Sequence, residues 1–181
     1  MRVQNGRVAW SDTLVRTGRL TSLSAMNDIA GRPVIDRGRV YAISHSGRMV
    51  AIDLRTGERV WTRDVGGVQT PWVAGDFVYV LSLDGEVVCL SRRDGGILWI
   101  APLQQFKNQK KREDPIQWSG PVLAGDRLIT VSSDGKAVSI SPYTGDVLGQ
   151  IQMPEGSFIS PIVVDQIVLL LTDEAELIAY K

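Results

Sequence analysis

Few side chains in this sequence of 181 residues could take part in catalysis or metal binding. It holds one histidine, His45, and one cysteine, Cys89. A single histidine cannot form a multi-histidine metal site, and one cysteine excludes an intramolecular disulfide or a thiolate metal cluster. His45 precedes a Ser-Gly turn, where a solvent-facing rim position is the favoured interpretation. A catalytic triad stays the alternative, because the sequence cannot place its serine and aspartate partners.

Asp53 has the clearest local role among the acidic residues, since it stands three residues before the Thr56-Gly57 turn. A carboxylate there can accept hydrogen bonds from the N–H groups of the turn. Ser91 and Ser141 take the same place in later turns, which favours local hydrogen bonding over acid catalysis. Cys89 lies in a predicted buried strand as a small core residue. The sequence therefore predicts no catalytic residue, no metal site and no cofactor.

These residues belong to a repeat in which a glycine turn is followed four residues later by tryptophan. Another glycine lies ten residues before such a turn, and a proline lies fourteen residues earlier still. The repeated positions are Gly6 and Trp10, Gly57 and Trp61, Gly95 and Trp99, the earlier glycines Gly47, Gly85 and Gly135, and the prolines Pro33, Pro71 and Pro121. The spacing from Pro33 to Pro71 is 38 residues, and internal repeats of about 40 residues are typical of a propeller blade.

The apolar segments RVYAIS, FVYVLS and RLITVS are bounded by turns and rich in β-branched and aromatic residues, which favours strands. They are apolar on both faces, as stacked sheets require. The sequence predicts an all-β fold, a β-propeller of four-stranded antiparallel blades. We expect one propeller segment over 1–181, with an outer strand at 7–10, blades at 32–65, 69–103 and 117–153, and a partial blade at 158–180. About four blades are half of an eight-bladed ring, so we also expect self-association.

The three tryptophans at this offset are predicted to pack between blades. An aromatic ring in such a slot can bury on the order of 200 Å². Ligand stacking is the alternative role for Trp10, Trp61 and Trp99, but recurrence at a structural offset favours packing. Gly149 takes the matching place in the third unit, which predicts a weaker junction there.

Charge and hydropathy exclude two classes of partner. Lys plus Arg and Asp plus Glu both number 20, so no net field attracts nucleic acid. The longest apolar run, Ile162 to Leu171, is too short to span a bilayer and is interrupted by polar residues. The first ten residues show no signal-peptide pattern. We therefore expect neither an export signal nor an anchor in this sequence.

Two links between blades, Trp10 to Pro33 and Trp99 to Pro121, are about twice as long as the others and share one face of the propeller. Long loops on a rigid scaffold commonly carry recognition. An apolar centre with a charged rim suits a protein interface, although the first link could instead form a local lid. For the second link, a solvated mobile loop is favoured over a basic patch. The predicted partner-binding residues are Arg16, Arg19, Leu20, Leu23, Met26, Asp28, Lys110, Lys111 and Arg112.

The pattern AxDxxTGxxxW after PVxxGDRVYVxSxDG resembles the blade signature of the PQQ-like repeat family. The segment PVIDRGRVYAISHSGRMVAIDLRTGERVWTRDVGG is similar to the C-terminal half of the BamB family of lipoproteins. This resemblance implies an eight-bladed, non-catalytic scaffold at the periplasmic face of the outer membrane, which docks on the POTRA domains of BamA. It also implies acidic contacts before Pro33, which Asp28 matches and Ala30 does not. The alternatives are a PQQ-dependent quinoprotein dehydrogenase-like propeller and a ligand-binding propeller with no assembly role.

Overall fold

The structure, a computed structural model, describes residues 6–14 and 31–181. These residues form 17 strands and no helix. Blade 1 comprises β1 (Val34–Asp36), β2 (Arg39–Ser44), β3 (Arg48–Asp53) and β4 (Arg59–Arg63). Blade 2 comprises β5 (Trp72–Ala74), β6 (Phe77–Leu81), β7 (Glu86–Ser91) and β8 (Ile97–Pro102). A hairpin of β9 (Phe106–Asn108) and β10 (Glu113–Pro115) follows.

Blade 3 comprises β11 (Trp118–Ala124), β12 (Arg127–Ser132), β13 (Lys136–Ile140) and β14 (Val147–Gln152), and blade 4 comprises β15 (Ile162–Val164), β16 (Ile167–Leu171) and β17 (Leu177–Tyr180). Strands pair antiparallel in chain order within every blade, so three sheets have four strands and the last has three. The predicted all-β fold of four-stranded antiparallel sheets is confirmed.

The core lies between the blades, because each blade is apolar on both faces. On blade 1 the rear face, which looks toward blade 2, carries Tyr41, Ile43, Met49 and Ala51, all at most 1% exposed. They pack against Val78, Val80, Val88 and Leu90 on the front face of blade 2. Blade 2 packs on blade 3 in the same way. This two-sided burial explains why the strands are continuously apolar rather than alternating.

The segment predicted as an outer strand at 7–10 forms no strand in the structure. It lies instead against blade 1, where Trp10 and Leu14 pack on Val40, Ala42, Val50 and Ile52 of the front face. Blade 1 already has its own four strands in the order β1-β2-β3-β4. A strand at 7–10 needs the free edge of another sheet, and among the described residues none lies beside it.

Candidate functional site

The junction between blades 1 and 2 is built around Trp61, which is 6% exposed. Its indole N–H donates to the carbonyl oxygen of Arg92 at 3.1 Å. Its ring lies over Gly95 of the next blade, where an added Cβ would approach Trp61 Cδ2 to 2.7 Å. Tyr41 flanks the indole with a ring-centroid separation of 6.0 Å. One side chain thus joins the outer strand of one blade to the Gly turn of the next.

The same geometry recurs at two other places. Trp99 donates to the carbonyl oxygen of Pro142 at 3.2 Å and lies over Gly145. Trp10 donates to the carbonyl oxygen of Leu54 at 2.8 Å and lies over Gly57. In all three cases the acceptor stands three residues before the glycine. The structure therefore places Trp10, Trp61 and Trp99 in equivalent positions, one on each of the first three blades.

The glycines at these turns have a second role that the sequence reasoning missed. Gly57, Gly95 and Gly145 have φ between +72° and +80°, the left-handed conformation expected for such turns. They also lie directly beneath an indole, so any side chain would collide with the ring. The fixed spacing of glycine and tryptophan could have indicated this, because the tryptophan of one unit meets the glycine of the next.

At the junction between blades 3 and 4, Gly149 stands where the earlier blades have tryptophan. A groove of about 320 Å³ lies there, and most of its lining is apolar. Its walls include Ile129 and Leu148 from blade 3 and Val168 and Tyr180 from blade 4. At the two preceding junctions, a tryptophan side chain and the outer strand of the following blade fill the corresponding space.

A buried arginine strengthens the junction between blades 1 and 2. Arg92 is 8% exposed, and its Nε donates to the hydroxyl of Tyr41 at 3.0 Å. Its Nη2 lies 2.8 Å from a carboxylate oxygen of Asp36. At the next junction Pro142 replaces the arginine, and the hydroxyl of Tyr79 donates to its carbonyl oxygen at 3.1 Å. Burial raises the pKa of Tyr79, so its phenol stays protonated as the donor.

The N-terminal segment is tied to blade 1 by an ion pair. Arg59 Nε and Nη2 each donate to a carboxylate oxygen of Asp12 at 2.7 Å, in the bidentate geometry that favours this pair. The hydrogen bonds from Arg59 lower the pKa of Asp12 below its usual value, although partial burial opposes them. The ion pair holds Trp10 and Leu14 in place on the front face of blade 1.

Acidification is expected to loosen this segment. Because the pKa of Asp12 is lower in the folded chain than in the unfolded chain, its stabilising contribution is complete above the unfolded value, about 3.9. The contribution is lost as pH falls through the lower, folded value. The hydrogen-exchange protection factors of residues 6–14, which are corrected for the intrinsic exchange rate at each pH, should therefore decrease below about pH 4 more than those of blade 2. Asp12→Asn should remove this difference in pH dependence, and an unchanged profile in that variant would contradict the assignment.

The remaining chemical candidates have structural roles. Asp53 Oδ1 accepts from the backbone N–H groups of Arg55 and Thr56 at 2.9 and 2.8 Å, so the carboxylate braces its turn. Hydrogen bonding to the Thr56 N–H is the main cause of its lowered pKa. Cys89 is fully buried, and burial raises the pKa of its thiol to about 12. His45 is half-buried rather than solvent-facing.

The second long link forms the hairpin β9–β10 rather than a loop without secondary structure. Glu113 pairs with Asn108, and Pro115 pairs with Phe106. The side chain of Asn108 accepts from the backbone N–H of Lys111 at 3.2 Å. The guanidinium of Arg112 lies 5.5 Å from the centre of the Phe106 ring, within cation–π range. Local contacts therefore order a segment whose polar composition resembles a loop.

The base of the hairpin is fixed to the scaffold, whereas its cationic side chains are exposed. Trp118, which is 7% exposed, donates its indole N–H to the carbonyl oxygen of Gln104 at 2.8 Å. Gln104 Oε1 accepts from Lys136 at 2.8 Å. Lys136 also pairs with Asp134 at 2.7 Å. The structure thus holds an exposed basic group at the hairpin, comprising Lys107, Lys110, Lys111 and Arg112.

Burial tends to raise the pKa of Asp134, but hydrogen bonds from Lys136 and Ser132 and the charges of Lys136 and Lys107 lower it overall. Asp134 is therefore a carboxylate at neutral pH, and it neutralises Lys136 beneath the hairpin. The exposed cations of the hairpin lie beyond this pair.

The hairpin lies on the face that carries the turns at Gly47, Gly85 and Gly135. Gln105 donates through its amide to the carbonyl oxygen of Asp84, in the turn of blade 2. The predicted binding residues of the first long link, Arg16, Arg19, Leu20, Leu23, Met26 and Asp28, lie outside the described residues. The structure therefore brings together only Lys110, Lys111 and Arg112 of the predicted set. We refer to this side of the molecule as the hairpin face.

Within 6–14 and 31–181, no group of three or more His, Cys, Asp or Glu residues is arranged to hold a metal ion. A search of the same residues for a long, apolar helix able to cross a membrane also finds none.

Four-stranded sheets stacked face to face, with an indole of one resting on the Gly turn of the next, define a segment of a β-propeller built from PQQ-like repeats. The family model described as "Outer membrane protein assembly factor BamB" matches residues 1–101 and 84–181. The chain belongs to this family.

A BamB protein from Salmonella typhimurium is 27% identical over 164 residues, covering 90% of this chain and 40% of that protein. The chain thus spans about two fifths of the length of the curated relatives it matches. The crystal structure of BamB from Moraxella catarrhalis has a TM-score of 0.73 at 20% identity, covering 85% of this chain and 44% of that chain. The quinohemoprotein alcohol dehydrogenase of Comamonas testosteroni has a TM-score of 0.59 at 20% identity, with 70% and 21% covered. Likeness at such identity shows the fold alone.

Proposed function

We propose that this chain is a non-catalytic scaffold in the assembly of outer-membrane β-barrel proteins. In this proposal the chain acts at the periplasmic face of the outer membrane and docks on the POTRA domains of BamA. Membership of the BamB family supports the assembly role. The observation that carries the docking role is the hairpin face, where a rigid set of turns presents exposed cations.

The hairpin suits recognition because its base is fixed while its tip is free to make contacts. Trp118 and Lys136 hold Gln104 beneath it. Lys110 and Lys111 stand at the exposed turn. Prior ordering of the backbone lowers the entropy lost on binding. An acidic surface on the partner would complement these charges and accelerate encounter.

Charge reversal tests the docking face. Lys110→Glu with Lys111→Glu should reduce the association rate with POTRA domains about tenfold at low ionic strength. Surface plasmon resonance with immobilised POTRA domains gives the rate and its salt dependence.

The matched control is Arg55→Glu with Arg93→Glu, which makes the same change in charge on exposed turns of the opposite face. That variant should bind like the original chain. Equal loss in both variants would show that net charge, not the hairpin face, governs binding. An unchanged rate in the lysine variant would contradict the assignment.

A fold shared with a quinohemoprotein alcohol dehydrogenase makes oxidation chemistry the alternative to exclude. We expect no dye-linked oxidation of primary alcohols when PQQ and Ca²⁺ are added in excess. The assay uses the reduction of an artificial acceptor dye, with a quinoprotein dehydrogenase as a positive control. Turnover that depends on both PQQ and Ca²⁺ would contradict the non-catalytic proposal.

A further inference from the structure

A polar pocket of about 550 Å³ lies between blades 1 and 2, on the side of the molecule opposite the hairpin face. The β1–β2 turn of blade 1 and the β5–β6 and β7–β8 turns of blade 2 form its walls. Both blades are complete four-stranded sheets, so the pocket belongs to an internal junction of the propeller. We refer to it as the arginine pocket. The charged residues of its lining are Arg37, Arg39, Asp76, Arg92, Arg93 and Asp94.

The next junction has uncharged residues at the four arginine positions. By repeat position, the residues between blades 2 and 3 are Gly75, Phe77, Pro142 and Tyr143. Blades 2 and 3 nevertheless stack around Trp99 as blades 1 and 2 stack around Trp61. Blade stacking therefore does not require these arginines, and the arginine pocket distinguishes one junction from the next.

The floor of the arginine pocket is fixed by hydrogen bonds between its turns. The guanidinium of Arg92 donates to the carbonyl oxygens of Asp36 at 3.1 Å and Gly75 at 3.3 Å. Arg39 Nη1 donates to the carbonyl oxygens of Arg92 at 2.6 Å and Arg93 at 3.3 Å. These bonds hold the three turns together before any ligand enters, which lowers the entropy lost on binding.

The other two arginines keep their hydrogen-bond donors available. The side chain of Arg37 is 64% exposed, and its Nε lies 3.9 Å from a carboxylate oxygen of Asp36. The side chain of Arg93 is 89% exposed, and its Nη2 lies 3.9 Å from a carboxylate oxygen of Asp94. Neither contact is within hydrogen-bonding distance. Two guanidinium forks can therefore turn to an oxyanion at the mouth of the pocket.

The backbone of Arg37 is strained, which indicates a role for its side chain. Its φ is +42°, in the left-handed region, and glycine stands at the equivalent place in the next two blades. Those glycines, Gly75 and Gly125, have φ of +57° and +61°. Glycine adopts this conformation without the steric cost that a residue with a Cβ incurs. Strain of this kind is commonly kept at functional sites.

The acidic residues of the pocket restrict the anions that it can accept. Asp94 Oδ1 accepts from the backbone N–H of Gly96 at 3.0 Å, and this bond is the main cause of its lowered pKa. Asp94 is therefore a carboxylate at neutral pH. It repels a bare anion, whereas a hydroxyl or ammonium group on the ligand could donate to it. Asp76 lines the same pocket and is exposed.

We propose that the arginine pocket binds a phosphate ester that also carries a hydroxyl or ammonium group. Arg37 and Arg93 bind the phosphate oxygens, and Asp76 and Asp94 accept from the hydroxyl or ammonium group. A phosphate monoester has three strong acceptor oxygens, which suit two guanidinium forks better than the two oxygens of a carboxylate. The site lies opposite the hairpin face, so this inference does not depend on the proposed docking on BamA.

An NMR titration of the full chain with phosphoethanolamine tests the site. Saturable shifts are expected for the backbone amides of the β7–β8 turn of blade 2. Arg93→Gln should weaken binding about tenfold through the loss of charged hydrogen bonds. Arg55→Gln is the control, because Arg55 is exposed on a turn of the same face outside the pocket. The absence of saturable shifts, or equal weakening in both variants, would overturn the proposal.

The acidic half of the site has its own test. Inorganic phosphate, which lacks the ammonium group, should bind more weakly than phosphoethanolamine. Asp76→Asn should reduce this difference, because it removes one of the two carboxylates that favour the ammonium group. Equal affinity for the two probes in the original chain would contradict the assignment of the carboxylates.

Arg37→Gly separates binding from folding. Glycine relieves the strained φ, so the midpoint of urea denaturation should stay unchanged or rise. The affinity for phosphoethanolamine should nevertheless fall about tenfold. An affinity equal to that of the original chain would show that Arg37 has no part in binding and would overturn the proposed site.

The ester could be a free metabolite or a lipid headgroup. Flotation with vesicles of phosphatidylethanolamine, compared with vesicles of phosphatidylcholine, distinguishes the two sources. Flotation with phosphatidylethanolamine alone, lost in Arg93→Gln, supports the site with a lipid as its ligand. Binding of phosphoethanolamine without flotation supports the site with a soluble ester as its ligand.

Discussion

Trp61→Ala is expected to lower the free energy of unfolding by about 3–5 kcal/mol, the usual cost of truncating a large buried aromatic. The side chain is 6% exposed and packs in the apolar cluster that the facing sides of blades 1 and 2 form. Its removal opens a cavity between two sheets that each form rigid four-stranded units. It also leaves the carbonyl oxygen of Arg92 without the indole donor.

Urea denaturation followed by circular dichroism measures this effect. The control is Tyr143→Ala, because Tyr143 is 71% exposed in a turn of blade 3 and its loss should change stability by less than about 0.5 kcal/mol. Trp99→Ala should fall between the two, since Trp99 is only half-buried. A loss in Trp61→Ala no larger than that in Tyr143→Ala would contradict the role of the indole at the junction.

Gly95→Ala should be nearly as damaging, although it adds only one methyl group. The φ of +72° costs about 1–2 kcal/mol for any residue with a Cβ. The new Cβ would lie 2.7 Å from Trp61 Cδ2. The indole cannot retreat without breaking its hydrogen bond to Arg92, so overpacking adds about 1–3 kcal/mol.

Gly125→Ala separates these two costs. Gly125 has a φ of +61°, but nothing lies within 4 Å of an added Cβ. Its substitution should therefore show only the backbone cost. In a Trp61→Ala background, the loss of unfolding free energy caused by Gly95→Ala should fall toward that caused by Gly125→Ala, because the colliding ring is absent. Equal penalties at the two glycines in the original chain would show that the indole does not rest on Gly95.

The recurring spacing of glycine and tryptophan is what made the fold predictable. The turn residues require positive φ, and the strands between them are apolar on both faces, so the sequence indicates stacked four-stranded sheets. Because Gly149 takes the place of tryptophan, the sequence predicts a weaker third junction, and the structure has the apolar groove there. That glycine is informative because the repeat predicts a different residue at its position.

Other features depend on contacts that no local pattern shows. The hairpin β9–β10 is ordered by Phe106 and Arg112, which lie six residues apart in a polar segment. The clamp formed by Arg92, Tyr41 and Asp36 joins residues more than fifty positions apart in the chain. The segment at 7–10 has the composition of a strand but forms none, and Trp10 packs on the front face of blade 1 instead. The hairpin is decided by side-chain contacts within its own ten residues, and the other two outcomes are decided by tertiary neighbours.

Trp10, Trp61 and Trp99 each rest on the turn glycine of the following blade, so that consecutive sheets stack as blades. The most direct measurement is the proton NMR spectrum of the glycine Cα protons, assigned in the intact chain. The indoles should give upfield ring-current shifts at Gly57, Gly95 and Gly145, with nuclear Overhauser contacts to Trp10, Trp61 and Trp99 respectively, and Gly38 and Gly125 should show ordinary shifts. Ordinary shifts at all five glycines, without contacts to the indoles, would contradict this stacking.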